Sequence, residues 1–330
     1  MSQDEQIALS VGGTFGHIKP ALDMACAVKL KPFLIGIGLL ESYFLKNCPH
    51  EVIGLQGKRS LLSLFKNIVR SFKILKNKRF TVMVCFGSYH SFPAVFASLL
   101  LGKKIWVFEP NSSLGKVNRF FLPFAKKIIC YEKKILDCYP KKGVLVKPHL
   151  TRKEKGLCYK RFGLDDQKPI LLVIGGSSGS VYLNEILQDQ IDSLKNFQIL
   201  HLVGLNTDPH LFVQLYQSKS ITAFVAPFID NVSDAMQIAN FALTRAGASV
   251  LQELKTFNVP SLIVPFEGVD AHQLLNAKQF LQSGGVGKIF SQNNAFTIVD
   301  ELQKIGLNGH LKETSLDIKG DGWEAITSLV

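Results

Sequence analysis

Short apolar runs alternate along the chain with longer stretches of helical period. Ile7 to Val11, Thr81 to Phe86, Ile105 to Phe108, Ile170 to Ile174, Ile199 to Val203, Ala223 to Ala226, Phe241 to Leu243 and Ser261 to Pro265 are such runs, bounded by glycine, proline or polar residues. Apolar runs without polar alternation predict strands covered on both faces, as in a parallel sheet. Helices are expected from Pro20, after Pro93, around Leu183 and over Ala248 to Lys255. This is the βα rhythm of an α/β protein. The first run opens into G-G-x-x-G at Gly12 to Gly16, a loop with His17 at its end, and Ile170 to Ile174 opens into the same pattern at Gly175 to Gly179. The repeat predicts two Rossmann-like, doubly wound domains facing across a cleft, with both loops lining it. Proline and basic residues without helical period gather between Tyr139 and Arg152, which sets the expected domains at 1–148 and 149–330. Past Ser291 the pattern weakens; Gly306 to Gly322 reads as loop and Trp323 to Val330 as a closing helix.

Residues Arg59 to Lys76 predict a strongly two-sided helix, with Leu61, Leu64, Phe65, Ile68, Phe72 and Leu75 on one face and Arg59, Lys66, Arg70 and Lys73 on the other. Two readings stand: a core-packed helix with a solvated basic face, or a segment lying on anionic lipid. Charge sharpens the question. The chain of 330 residues carries +12, but residues 1–150 hold 23 Lys+Arg against 8 Asp+Glu, or +15, and residues 151–330 hold 15 against 18, or −3. An anionic partner of the first half is therefore expected. No nucleic-acid motif accompanies the charge, and nucleic acid is not a predicted partner. No apolar run reaches the roughly 18 residues of a membrane span. The acidic start MSQDEQ is unlike a signal peptide and predicts a cytoplasmic protein. Six cysteines without a C-x-x-C pair predict reduced, buried thiols and no structural metal site.

Candidate chemistry is densest from Thr244 to Ala277. A strand, a tight turn of small residues (Ala246, Gly247, Ala248) and a helix start form a seat for a diphosphate, because the first helical amides lack intrahelical partners. Glu253 can accept two hydrogen bonds from a vicinal diol such as ribose. Asp270, His272, Gln273 and Asn276 supply groups suited to sugar hydroxyls. In the first half, His17 is either a catalyst or a loop histidine, and Glu109 either a base, a hydrogen-bond acceptor or an ordinary loop carboxylate. G-G-x-x-G without a Lys-Ser/Thr pair supports neither a dinucleotide dehydrogenase nor a P-loop NTPase.

Taken together, GGTFGHIKPAL, GSYHSFP, EPN with Asn118, GGSSGS with Leu183 and Asn184, FID, TRAGAS with Glu253, and HQLLNA occur in the order and approximate spacing of a known family. The chain resembles the MurG family of glycosyltransferases, which add N-acetylglucosamine from its UDP derivative to lipid-linked muramyl-pentapeptide in peptidoglycan synthesis. The resemblance implies a GT-B fold, a donor-binding second domain and an acceptor- and membrane-facing first domain. It implies two substrates, UDP-N-acetylglucosamine and undecaprenyl-pyrophosphoryl-muramyl-pentapeptide, an anionic membrane surface as partner, no cofactor, and a peripheral place on the cytoplasmic face of the bacterial inner membrane. Carried onto matching positions, backbone at Ile229 meets the uracil, Glu253 the ribose, Ser177 and the amides near Ser249 and Val250 the diphosphate, and Gln273 and Asn276 the sugar. Arg152 closes over the nucleotide. From the first domain Thr14, Gly16 and Asn111 are further donor contacts, Gly13, Phe15, Tyr89, His90 and Asn118 are acceptor-side residues, and His17, Glu109 and Asn111 line the acceptor side. His17 is the nominated base and Glu109 the reserve. The implied chemistry inverts the anomeric centre and needs no metal ligands.

The chain departs from the family at Phe15, where glycine is usual, at Ser178, where glutamine is usual, and at Pro148 to Arg152, where the family has a glycine-asparagine-proline motif before the arginine. Phe15 would narrow the acceptor pocket. Competing readings are another UDP-sugar-dependent glycolipid glycosyltransferase, a nucleotide-sugar epimerase, and a non-catalytic nucleotide-sugar-binding homologue.

Overall fold

The computed structural model describes residues 6–12, 14–27, 31–57, 60–268, 272–294, 296–308, 323 and 326. Gly13, Arg59 and Asp270, singled out from the sequence, lie outside them, as do residues 309–322 of the expected loop and all of the expected closing helix but Trp323 and Ile326. The chain forms two compact units that divide between His149 and Leu150, with Trp323 and Ile326 belonging to the first.

In the first unit, strands β1 (Gln6–Ser10), β2 (Lys31–Ile37), β3 (Glu51–Leu55), β4 (Phe80–Cys85), β5 (Lys104–Glu109), β6 (Ala125–Cys130) and β7 (Gly143–Leu145) form one sheet of order β3-β2-β1-β4-β5-β6-β7. All its pairings are parallel. The helices are α1 (Phe15–Ala27), α2 (Leu61–Lys76), α3 (Phe92–Leu100), α4 (Lys116–Phe121) and α5 (Lys133–Cys138). Because successive strand residues point to opposite faces, Ile7 and Leu9 enter one core with Ile18, Met24 and Phe108, while Ala8 enters the other with Phe33, Met83 and Val107. Each fully buried Ile or Leu contributes about 1.5–3 kcal/mol.

Strands β8 (Ile170–Ile174), β9 (Gln198–Leu202), β10 (Ala223–Ala226), β11 (Phe241–Thr244), β12 (Ser261–Ile263) and β13 (Gly287–Ile289) form the second sheet, of order β10-β9-β8-β11-β12-β13. Its helices are α6 (Lys155–Phe162), α7 (Val181–Asp189), α8 (Pro209–Ser218), α9 (Val232–Met236), α10 (Ala248–Thr256), α11 (His272–Gln282) and α12 (Ile298–Asn308). Both sheets thus grow outward from their first strand, reverse, and continue on its other side. Each reversal point, β1 beside β4 and β8 beside β11, sets two strand-to-helix loops side by side at the carboxyl edge, where open α/β sheets take ligands. The two Rossmann-like units expected from the repeated glycine loops are present.

Several expectations are corrected. Helix α1 begins at Phe15, where His17 N and Ile18 N already bond to the Thr14 carbonyl, so Phe15 to His17 are helical and Pro20 lies a turn deeper than expected. The proline-rich linker stretch contributes an edge strand, β7. Residues 306–308, expected as loop, end α12. Trp323 packs in the first unit, not the second, stacking on Phe108 at 5.9 Å and donating from Nε1 to the Lys147 carbonyl at 2.7 Å. Cys26 and Cys138 are exposed, whereas Cys85, Cys130 and Cys158 are buried as expected.

The largest change concerns α2. Its inward stripe is Asn67, Ser71 and Leu75, spaced four apart, and Asn67 Nδ2 donates to the Gln56 carbonyl at 3.0 Å. The small side chains of Asn67 and Ser71 let α2 pack closely against α3, with Leu75 fully buried and Leu64, Ile68 and Phe72 half-buried, while Leu61, Leu62, Phe65 and Val69 turn outward. Leu61 is 86% exposed and Phe65 65%, with Leu62 and Val69 also exposed, next to exposed Lys66, Arg70, Lys73 and Lys76. No helix among the described residues is long and apolar enough to cross a membrane.

Candidate active site

At the first reversal point the α1 start meets the loop after β4. His17 Nδ1 lies 2.7 Å from the Phe86 carbonyl oxygen. A carbonyl only accepts, so Nδ1 carries the proton and Nε2 keeps its lone pair. Burial lowers the imidazole pKa, opposed by the bond to Phe86 and by the charge of Glu109. The ring rests against glycine on both sides: a Cβ on Gly12 would lie 3.6 Å from its Cδ2, and one on Gly87 3.7 Å from its Cε1. Thr14 and Gly16 are exposed at the helix start. Phe15 packs on Phe44 with ring centroids 4.7 Å apart. Tyr89 OH donates to the Ser60 carbonyl at 3.2 Å, and the His90 carbonyl accepts from Ile37 N, so both residues pin their loop to neighbouring elements.

Glu109 is only 1% exposed, and all its acceptor positions face inward. Oε1 accepts from Asn111 N (3.1 Å) and Asn111 Nδ2 (2.7 Å), and Oε2 from Gly115 N (2.8 Å) and Asn118 Nδ2 (2.9 Å). Four bonds fill a carboxylate. Its geometry is that of a loop anchor, with no oxygen open to an incoming hydroxyl. Asn118 is likewise buried, donating also to the Phe108 carbonyl and accepting from Cys85 Sγ.

In the second unit, α10 starts at Ala248 behind Gly247, which supplies no side-chain cap. The amides near Ser249 and Val250 are therefore not claimed by a cap. Glu253 is buried on α10. Gln273 Oε1 accepts from Ala246 N (3.2 Å) and Phe266 N (2.9 Å), while Asn276 Nδ2 donates to the Ala246 carbonyl (3.2 Å). Both α11 residues thus hold the turn that opens α10. The other loop of this edge, Gly175 to Gly179, bears half-exposed Ser177, whose carbonyl accepts from Leu205 N. Gly179 (φ +82°) and Gly204 (φ +95°) meet backbone to backbone, and a Cβ on Gly204 would lie 2.1 Å from Gly179 Cα. Ile229 is buried beyond β10, and Arg152 is exposed where the chain enters the second unit. That entry is held to α9 by Thr151 Oγ1 accepting from Asn231 Nδ2, by Lys153 N donating to Gln237 Oε1 at 2.9 Å, and by an ion pair of Lys153 with buried Asp234.

One residue passed over in the sequence now stands out. Arg245 is 8% exposed, and its guanidinium donates to Ser180 Oγ (2.8 Å), the Val264 and Pro265 carbonyls (3.0 and 3.3 Å) and Gln292 Oε1 (2.8 Å). It joins the α7 cap to the loops after β12 and β13. A cation amid small residues at a strand end was the only sequence signal.

Two Rossmann-like sheets with helix starts and glycine turns at their reversal points define the architecture of nucleotide-sugar-dependent glycosyltransferases of the GT-B class. The N-terminal domain model of glycosyltransferase family 28 matches residues 7–130 and its C-terminal domain model residues 170–321. The chain belongs to glycosyltransferase family 28. It is 28% identical, over 84% of its length and 83% of the relative's, to the UDP-N-acetylglucosamine--N-acetylmuramyl-(pentapeptide) pyrophosphoryl-undecaprenol N-acetylglucosamine transferase of Fusobacterium nucleatum. Its fold is shared with MurG of Acinetobacter baumannii at a TM-score of 0.71, 22% identity and 99% coverage of both chains. The UDP-GlcNAc 2-epimerase of Methanocaldococcus jannaschii also shares it, at 0.64, 13% identity and 98% coverage of both. Fold alone therefore does not select transfer over epimerisation.

Proposed function

We propose that this chain transfers N-acetylglucosamine from UDP-N-acetylglucosamine to the 4-hydroxyl of undecaprenyl-pyrophosphoryl-N-acetylmuramyl-pentapeptide, with inversion, in peptidoglycan synthesis. The observation that carries the reading is a similarity that runs through both units to a relative named for this transfer, in a chain that retains a histidine with an available Nε2. The second unit binds the donor, with the Ile229 backbone at the uracil and Glu253 at the ribose. The open start of α10 and Ser177 take the diphosphate, and Gln273 and Asn276 support the sugar pocket. His17 Nε2 removes the acceptor's 4-hydroxyl proton as the oxygen attacks the anomeric carbon. The bond to the diphosphate breaks, and its electron pair leaves with UDP. Charge growing on that leaving group meets helix amides already in place, which stabilises the transition state without reorganisation.

The test is transfer of labelled N-acetylglucosamine to a short-chain lipid-linked muramyl-pentapeptide, with UDP release followed in the same tube. Release without transfer would point to another glycolipid acceptor; neither signal from folded protein would leave a nucleotide-sugar-binding homologue. Glu253→Ala is expected to weaken UDP-sugar affinity by about 10- to 100-fold through lost charge-assisted hydrogen bonds, measured by calorimetry. Unchanged affinity would remove the ribose assignment.

The same reading puts the protein peripherally on the cytoplasmic face of the bacterial inner membrane, with α2 as the contact. Exposed Leu61, Leu62, Phe65 and Val69 enter the lipid boundary while Lys66, Arg70, Lys73 and Lys76 meet anionic headgroups. At about 1 kcal/mol per basic residue, Arg70→Gln with Lys73→Gln should weaken binding to anionic vesicles about 30-fold in sedimentation. Equal binding would return this face to solvent.

A further inference from the structure

We infer that Ser88 contacts the acceptor sugar, a role that rests on the transfer reaction proposed above. Ser88 has φ +69°, in the left-handed region that disfavours side chains. The other non-glycine residues with positive φ among those described, Ser220 and Asn258, each lie two positions past a helix end, where this conformation ordinarily stops helices. Ser88 instead lies past a strand, at the reversal point between β1 and β4. Its hydroxyl is also buried without a hydrogen-bond partner. Strain and an orphan hydroxyl in one residue both disfavour the free protein, and such features concentrate at functional sites.

The hydroxyl sits beside the base. A Cβ built on Gly12 would lie 2.4 Å from Ser88 Oγ and 3.6 Å from His17 Cδ2, the ring carbon next to Nε2. Hydroxyl and imidazole therefore converge on one face of Gly12, where only glycine leaves room for both. Ser88 itself is half-exposed, so a turn of χ1 carries Oγ from Gly12 to the open side of the loop. There it donates to an oxygen on the carbon next to the reacting one of the acceptor sugar. That contact fixes the rotation of the ring and points the 4-hydroxyl proton at Nε2.

Two substitutions in the full chain separate hydroxyl from strain. Ser88→Gly removes both, and Ser88→Ala removes only the hydroxyl. Both should lower kcat/KM for the lipid-linked acceptor about tenfold, with donor KM unchanged. Both should raise Tm, because each removes the orphan hydroxyl, and Ser88→Gly should raise it by about 2–4 °C more than Ser88→Ala, because only glycine also relieves the strain. Acceptor kcat/KM at the unsubstituted level in either variant, a loss seen in donor KM, or equal Tm in the two variants would overturn the role of Ser88. Absence of transfer by the unsubstituted chain would overturn the underlying reaction, and this role with it.

Discussion

Replacing His17 by alanine is expected to lower turnover about 10²- to 10⁴-fold, while affinity for UDP-N-acetylglucosamine stays within about twofold. The asymmetry follows from where the residue lies. His17 belongs to the first unit, and its Nδ1 is committed to the Phe86 carbonyl, so its open nitrogen can only serve as an acceptor of a proton. Its lowered pKa gives the pH dependence a sign. Protonation abolishes the base, so kcat/KM, which reports the free enzyme, should fall on the acid side, with a midpoint below the ordinary imidazole value of about 6.5. The same depression makes the folded state resist protonation more than the unfolded chain. The stability it contributes is fully present above about 6.5 and is lost as pH falls through the lower folded value. His17→Ala should remove the acid limb from the residual rate, and a limb that persists would assign the base elsewhere.

Glu109→Ala is expected to destabilise the first unit by about 3–5 kcal/mol, because four donors, Asn111 N and Nδ2, Gly115 N and Asn118 Nδ2, lose their acceptor in a buried loop. The measurement has a natural probe. Both tryptophans, Trp106 and Trp323, are buried in the core of that unit, so urea unfolding followed by their fluorescence reports it selectively. A large shift in midpoint would match the loop anchor seen in the structure. Loss of transfer with an unmoved midpoint would restore Glu109 as a chemical participant.

What could be read from the sequence divides along the range of the forces involved. Ile170 to Ile174 is a strand to the residue, because burial on both faces imposes an unbroken apolar run, and Ala223 to Ala226 is equally so although it is a half-buried edge strand. The helix after Gly247 was equally legible, since its start needs only small residues and a local period. The face that α2 presents was not. Periodicity identifies an apolar stripe but cannot say that Asn67 and Ser71, being small, let α3 approach on another side. Nor could spacing show that Glu109 spends its oxygens on its own loop, since those partners depend on how residues 109–118 fold back. Arg245 illustrates the same limit: its partners lie up to 65 positions away along the chain, at Ser180.

The place of Trp323 bears on how the protein is made. Its indole closes the core around Phe108 and bonds to the carbonyl of Lys147, 176 positions earlier. A ribosome adding about 5–20 residues per second reaches Trp323 on the order of ten to thirty seconds after Lys147 has been joined. Throughout that interval the first unit waits with an unfilled apolar site while every strand of the second is synthesised. The unit begun first is therefore the one finished last, and a nascent chain halted before Trp323 would carry an incomplete first core beside a second sheet whose strands are already all present.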